Sequence, residues 1–269
     1  MDRYPVSVHI ERAPRNSRLW AVLAIFSIKF VALIPHFIVL AILGIAQFIA
    51  FVIAQVVVLV NGTYPRSLHD FVAGVVRWQL RVGAFFLSLT DRYPPFTLEQ
   101  RDDYPVDLKV EYPERSNRLL AGLTVLVLLI AFASFGFTRH SSGFWSGWST
   151  WSNLRAIAQI PHYIVLALYG IAVLVVWYVA QFVILFVGRT GDGIHSFIEQ
   201  FVRWSTRVSA FTYGITDRYP PFSGRPGPSE DVPVSQQPGT PGPADTGAGT
   251  PSTPSAGTGS STGTGAEAA

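Results

Sequence analysis

The chain has 269 residues, of which 49% are hydrophobic and only 14% are charged, with a formal net charge of +3. This composition is typical of a membrane protein. The chain has no cysteine, which excludes disulfides, thiolate catalysis and thiolate metal sites. No dense Lys/Arg run or aromatic-basic motif stands out, so nucleic acid is not an expected partner.

The chain opens with a strand-like segment that recurs 100 residues later. In residues 4–11 the apolar Val6, Val8 and Ile10 alternate with polar residues, and residues 104–111 repeat this pattern. Alternation with a period of two predicts a half-buried β-strand. The two predicted strands could pair with each other in a small cytoplasmic β element.

An apolar run follows from residue 19 to residue 60, with Lys29 as the only formal charge in 42 residues. As a helix it would measure about 63 Å, roughly two bilayer cores. Pro35 removes a helical hydrogen bond and predicts a break, so the run is interpreted as a transmembrane hairpin. Residues 19–33 measure only about 22 Å as a helix, so a re-entrant or membrane-surface segment is an alternative there.

Residues 67–90 are predicted to form an amphipathic helix whose polar or small positions recur every three or four residues. The polar stripe carries Arg77 and Arg81, and residues 193–216 repeat it with Arg203 and Arg207. Such a helix can lie in the cytoplasmic interface of a membrane. We therefore predict that these four arginines contact lipid headgroups.

The chain is an internal duplication. Residues 34–96 and 160–222 align without gaps, and 31 of these 63 positions are identical. The opening segments align with an offset of 100 rather than 126, so the second copy carries a 26-residue insertion within residues 119–154. Trp145, Trp148 and Trp151 in the insertion are interpreted as interfacial anchors, with an aromatic ligand-binding rim as the alternative.

Four segments are predicted in chain order: a first membrane repeat at 4–96, a linker at 97–103, a second membrane repeat at 104–222, and a disordered tail rich in Pro, Gly, Ser and Thr at 223–269. The fold class is mostly α and integral to the membrane, each repeat having a strand, a transmembrane helical hairpin and an amphipathic interfacial helix. Clustered Lys and Arg place the N-terminus and the tail in the cytoplasm.

The sequence resembles the bacterial domain-of-unknown-function 4389 family, which is common in actinobacteria. The resemblance depends on Ile-Pro-His at 34–36 and 160–162 and on Asp-Arg-Tyr-Pro-Pro-Phe at 91–96 and 217–222. It covers about residues 4–96 and 104–222. The resemblance implies a multi-pass protein of the cell membrane and carries no activity.

Three matched polar pairs are the candidate intramembrane site residues: Lys29 with Arg155, His36 with His162, and Gln55 with Gln181. The cations are interpreted as snorkelling anchors or as an ion or lipid site. Each histidine is expected to form a structural hydrogen bond, because two histidines without carboxylates make a weak metal site. The glutamines could bond to each other between the repeats, or line a solute pathway.

No nucleophile with a base and an orienting group is evident, so we expect no enzyme activity, no cofactor and no metal. The predicted function is a non-enzymatic scaffold or accessory subunit in the inner membrane. Its expected partners are membrane lipids and a membrane protein or a second copy of the chain. The alternative is a transporter or channel for a small solute or ion, with the six candidate residues converging in one cavity.

Overall fold

The computed structural model describes residues 4–13, 15–137 and 158–227. The insertion tryptophans, Arg155 and the tail beyond residue 227 lie outside this part of the chain. The elements in chain order are β1 Val6–Ile10, α1 Arg18–Ile25, α2 Ile28–Ala32, α3 Ile34–Asn61, α4 Arg66–Phe86, β2 Val106–Val110, α5 Arg118–Phe137, α6 Ile160–Val187 and α7 Asp192–Thr212.

The two strands form one antiparallel pair, as the alternating pattern suggested. Val8 lies opposite Leu108, and Val6 lies opposite Val110. The inward side chains of Val8 and Leu108 are completely buried. They belong to a hydrophobic core that also contains residues of α4 and α7. The sheet therefore covers one side of this helix pair.

The helices α3 and α6 are the two in the described residues that are long and apolar enough to cross a membrane. Each has 28 residues, about 42 Å of helix. A proline stands in the first turn of each, and Gly62 or Gly188 ends it in the left-handed conformation at φ 78° or 79°. The protein itself buries only 22% of the apolar window of each helix.

The first apolar run does not contain a second long helix. The helix α1 has eight residues, about 12 Å, and the chain breaks at Ser27, whose φ is 59°. Residues 19–33 are thus not one crossing helix. The equivalent helix of the second copy, α5, is continuous over 20 residues, about 30 Å.

The N-terminal segments of the two copies are exchanged. The helix α1 packs against α6 of the second copy, and α5 packs against α3 of the first. The strands follow the same rule, because β1 contacts α7 and β2 contacts α4. The prediction that the helices of one copy pack on each other as a hairpin is therefore wrong: α1 lies on the long helix of the second copy, and α5 lies on the long helix of the first.

The amphipathic helices α4 and α7 contact each other at the centre of the molecule. In α4 one side packs against α3 and the other against β2, so both the apolar Val76 and the polar-stripe Arg81 are buried. This differs from the predicted position in a lipid interface. The polar stripe faces backbone carbonyls instead of headgroups.

Candidate functional site

A cluster around His36 joins the two most distinctive motifs of the first copy. Trp78 in α4 donates its indole N–H to His36 Nδ1 at 3.1 Å. Phe96 stacks on the imidazole with ring centroids 3.9 Å apart, and Tyr93 donates its hydroxyl to Ala32 O at 2.7 Å. Because an indole N–H can only donate, Nδ1 is the acceptor and the neutral ring carries its proton on Nε2.

The second copy repeats this cluster around His162. Trp204 donates to His162 Nδ1 at 3.2 Å, Phe222 stacks on the ring at 3.7 Å, and Tyr219 donates to Ala158 O at 3.0 Å. Each proline-rich ending thus returns to the start of the long helix in its own copy. We call these two clusters the histidine clasps. Both histidines are fully buried and each has a hydrogen bond to a protein group.

Lys29 lies inside the protein, with 1% of its surface exposed. Its ammonium donates to Ser88 Oγ at 2.9 Å and stands 4.5 Å from the centroid of the Phe85 ring. A snorkelling side chain would reach the membrane interface, whereas this one ends at a buried hydroxyl. The same hydroxyl also bonds to Gln181 of the second copy, so Lys29 belongs to the contact between the two copies.

Ser88 connects Lys29 to α6. Its Oγ accepts from Trp177 Nε1 at 3.3 Å and donates to Gln181 Oε1 at 3.3 Å. One donor and two acceptors are the full capacity of a hydroxyl. Ser88 also adopts a left-handed φ of 61°, which is uncommon for a residue other than glycine.

The second copy has no hydroxyl at the position equivalent to Ser88, and Arg155, the equivalent of Lys29, lies outside the described residues. The equivalent of Ser88 is Gly214, which has a left-handed φ of 71° but no hydroxyl. The two glutamines do not bond to each other, because Gln181 pairs with Ser88 and with Trp177 O. Gln55 is fully buried and its amide has no hydrogen-bond partner among the described residues. The predicted glutamine bond between the repeats is not present.

Arg77 and Arg81 point into the protein. Arg77 donates to Leu108 O at 3.1 Å and to Leu98 O at 2.8 Å. Arg81, which is completely buried, donates to Glu99 O at 3.0 Å, and both guanidinium groups lie within 3.4 Å of the Asp107 carboxylate. The two arginines therefore form structural bonds to β2 and to the segment before it rather than contacts with lipid headgroups.

Arg203 and Arg207 have equivalent roles in the second copy. Arg203 donates to Val8 O at 3.5 Å and to Gly224 O at 3.1 Å, and Arg207 donates to Ser223 O at 3.0 Å. Both are at most 4% exposed, so the prediction of headgroup contacts is replaced for all four arginines. The polar stripe predicted polar partners for the four arginines, and the partners in the structure are backbone carbonyls.

The acidic partner differs between the copies. Asp107 on β2 serves the first arginine pair, whereas Glu199, on α7 itself, pairs with Arg203. Burial alone would raise the pKa of Glu199, but the hydrogen bonds from His195 and Arg203 outweigh burial and hold this pKa below its ordinary value. The spacing of four residues in a helix predicts the pair of Glu199 with Arg203, and the structure confirms it. Asp107 was missed as an arginine partner because its equivalent in the first copy is Ser7.

A cavity of about 170 Å³ lies between α4 and α7. Its polar lining comes from Gln79, Ser205, Thr206 and Ser209. None of the described candidate residues lines it. Lys29 and Gln181 share one network, the histidines lie in two separate clasps, and Gln55 lies apart from both, so these five side chains do not converge.

A family model described as "Domain of unknown function (DUF4389)" matches residues 24–97 and 148–224. The two matched regions correspond to two tandem copies, and each contains one complete histidine clasp. No curated protein and no solved structure matches the chain.

Proposed function

Because the chain belongs to the DUF4389 family, whose description assigns no activity, we propose its function from the geometry: it is a multi-pass inner-membrane protein that acts as a non-enzymatic scaffold or accessory subunit. In this arrangement α3 and α6 cross the bilayer. The N-terminus and the tail lie in the cytoplasm. Membrane lipids and a membrane-protein partner or second copy are its partners.

One observation carries the membrane assignment. The outer faces of α3 and α6 are apolar and exposed, as at Ile45 (66%), Leu168 (66%) and Ile171 (62%). A soluble protein rarely exposes a continuous apolar patch of more than a few hundred Å². Lipid is the natural cover for two such faces, each about 42 Å long.

The scaffold assignment is supported by how the polar residues are used. The clasps join elements within each copy, whereas the Lys29 network and the arginines bond one copy to the other. An interlocked unit of this kind suits a rigid membrane platform. The exposed faces of α3 and α6 are then the surfaces available to lipids and protein partners.

The test starts with membrane fractionation of the tagged full chain. We expect it to resist alkaline carbonate and to be released by mild detergent, and then to copurify with a stable protein partner or tightly bound lipid. Release by carbonate would contradict the membrane assignment. Recovery as a lone protein with neither partner nor lipid would contradict the scaffold assignment.

A further inference from the structure

Two equivalent arginines stand at the same end of the long helices. Arg18 is the first residue of α1 and Arg118 the first residue of α5. The exchange of segments brings each to the opposite copy: Asn16 N–H donates to Gly188 O, and Ser116 N–H donates to Gly62 O, both at 3.0 Å. Each arginine is thereby fixed beside the C-terminal end of a long helix.

The glycines at these ends leave room for the guanidinium groups. A Cβ on Gly62 would lie 2.6 Å from Arg118 Nε, and a Cβ on Gly188 would lie 3.6 Å from Arg18 Nη2. A cation beside the last carbonyls of a helix is favoured by the helix dipole. This attraction explains why the side chains are held there.

Both arginines are exposed, and in the described residues neither forms an ion pair with a carboxylate. Large exposed apolar side chains surround them: Leu19 (66%) beside Arg18, Leu119 (72%) beside Arg118, and Val60 (68%) and Val187 (60%) at the ends of α3 and α6. Each guanidinium therefore marks a boundary between an apolar surface and a charged one. The phosphate layer of a bilayer meets a membrane protein at such a boundary.

We propose that Arg18 and Arg118 form two equivalent sites for the headgroup phosphate of an anionic phospholipid. The planar guanidinium matches a phosphate with two parallel hydrogen bonds. The neighbouring leucine then contacts the first part of the acyl chains. The inference rests on the proposed function, since it requires α3 and α6 to lie in the bilayer.

The experiment is native mass spectrometry of the detergent-purified full chain, titrated with dioleoyl-phosphatidylglycerol or with dioleoyl-phosphatidylcholine. We expect the wild type to retain up to two phosphatidylglycerol molecules more tightly than phosphatidylcholine. The double variant Arg18→Gln/Arg118→Gln should bind phosphatidylglycerol about fivefold more weakly at each site, the effect of one cation near an anionic surface. Circular dichroism checks that the variant keeps its helical content.

The matched control is Arg101→Gln/Arg225→Gln, which removes the same charge from two exposed arginines in other segments and should bind like the wild type. Equal affinity for both lipids, or equal weakening in both double variants, would overturn the inference. Competition by inorganic phosphate would show a site for soluble anions and would also overturn it. If the chain is not recovered in membranes at all, the proposed function fails first, so the two failures are distinguishable.

Discussion

Trp78→Phe tests whether the histidine clasps hold the fold together. The substitution keeps an aromatic ring at a position that is 4% exposed but removes the N–H that His36 Nδ1 accepts. His36 Nε2 already has no hydrogen-bond partner among the described residues. The imidazole would then be buried without any hydrogen bond.

The magnitude follows from two losses. A buried polar group left unsatisfied costs about 1–3 kcal/mol, and the weakened contact between ring 78 and Phe96 adds about 0.5–1.5 kcal/mol. These ring centroids are 5.6 Å apart in the native clasp. The total of about 1.5–4.5 kcal/mol corresponds to a melting temperature lower by about 3–18 °C.

The assay is thermal unfolding of the detergent-purified protein, followed by circular dichroism. Trp204→Phe should behave alike, because its clasp has the same hydrogen bond at 3.2 Å. Trp20→Phe is the matched control: Trp20 packs edge-on against Phe85, but its indole N–H donates no hydrogen bond among the described residues. If all three variants lose the same stability, the hydrogen bonds of the clasps contribute nothing and the reasoning is wrong.

Three further outcomes are expected from the same unfolding assay. Ser88→Ala should destabilise the protein by about 1–3 kcal/mol because it leaves the Lys29 ammonium, Trp177 N–H and Gln181 Oε1 without its hydroxyl. Adding Lys29→Met should restore the part that is due to the unpaired ammonium, and no recovery in the double variant would refute the pairing. Gly224→Ala should destabilise strongly because a Cβ there would lie 1.9 Å from a backbone carbonyl, whereas Gly83→Ala, with open space around it, should be neutral or stabilising by about 0.5–1 kcal/mol. Because the folded-state pKa of Glu199 is lowered, its contribution to stability is present above the ordinary value of 4.5 and is lost as pH falls through the lowered pKa. Glu199→Gln should therefore reduce the fall in melting temperature at acid pH. An unchanged pH dependence would contradict this.

The secondary structure could largely be predicted from local patterns. Alternation in residues 6–10 and 106–110 predicted the strands, since a half-buried strand needs a period of two. Pro35 and Gly62 mark the two ends of α3, one by its missing N–H and the other by its left-handed φ. These signals are local and do not depend on what packs around them.

The exchange between copies could not be predicted. Duplicated segments present nearly the same surface, so α1 could pack on the long helix of either copy, and no local pattern distinguishes the two. The polar stripe was ambiguous for a similar reason. Arg77 and Arg203 need acceptors, and the strand carbonyls Leu108 O and Val8 O satisfy them as phosphates would.

The Lys29 network was missed because the comparison of copies selected identical residues. Ser88 and Gly214 differ, yet both occupy the same left-handed position. The available signal was a serine where its own repeat has glycine. A difference between copies at a constrained backbone position therefore indicates where the two halves are specialised.

The most direct test of the membrane account uses the absence of native cysteine. Single variants Ile45→Cys and Ile171→Cys place a thiol on the exposed face of α3 and of α6, and Asp102→Cys places one in an exposed loop. In open membrane fragments treated with a charged, membrane-impermeant maleimide, we expect label at position 102 and none at positions 45 and 171 until the protein is denatured. Equal labelling at all three positions would show that water reaches these helix faces and would contradict the account.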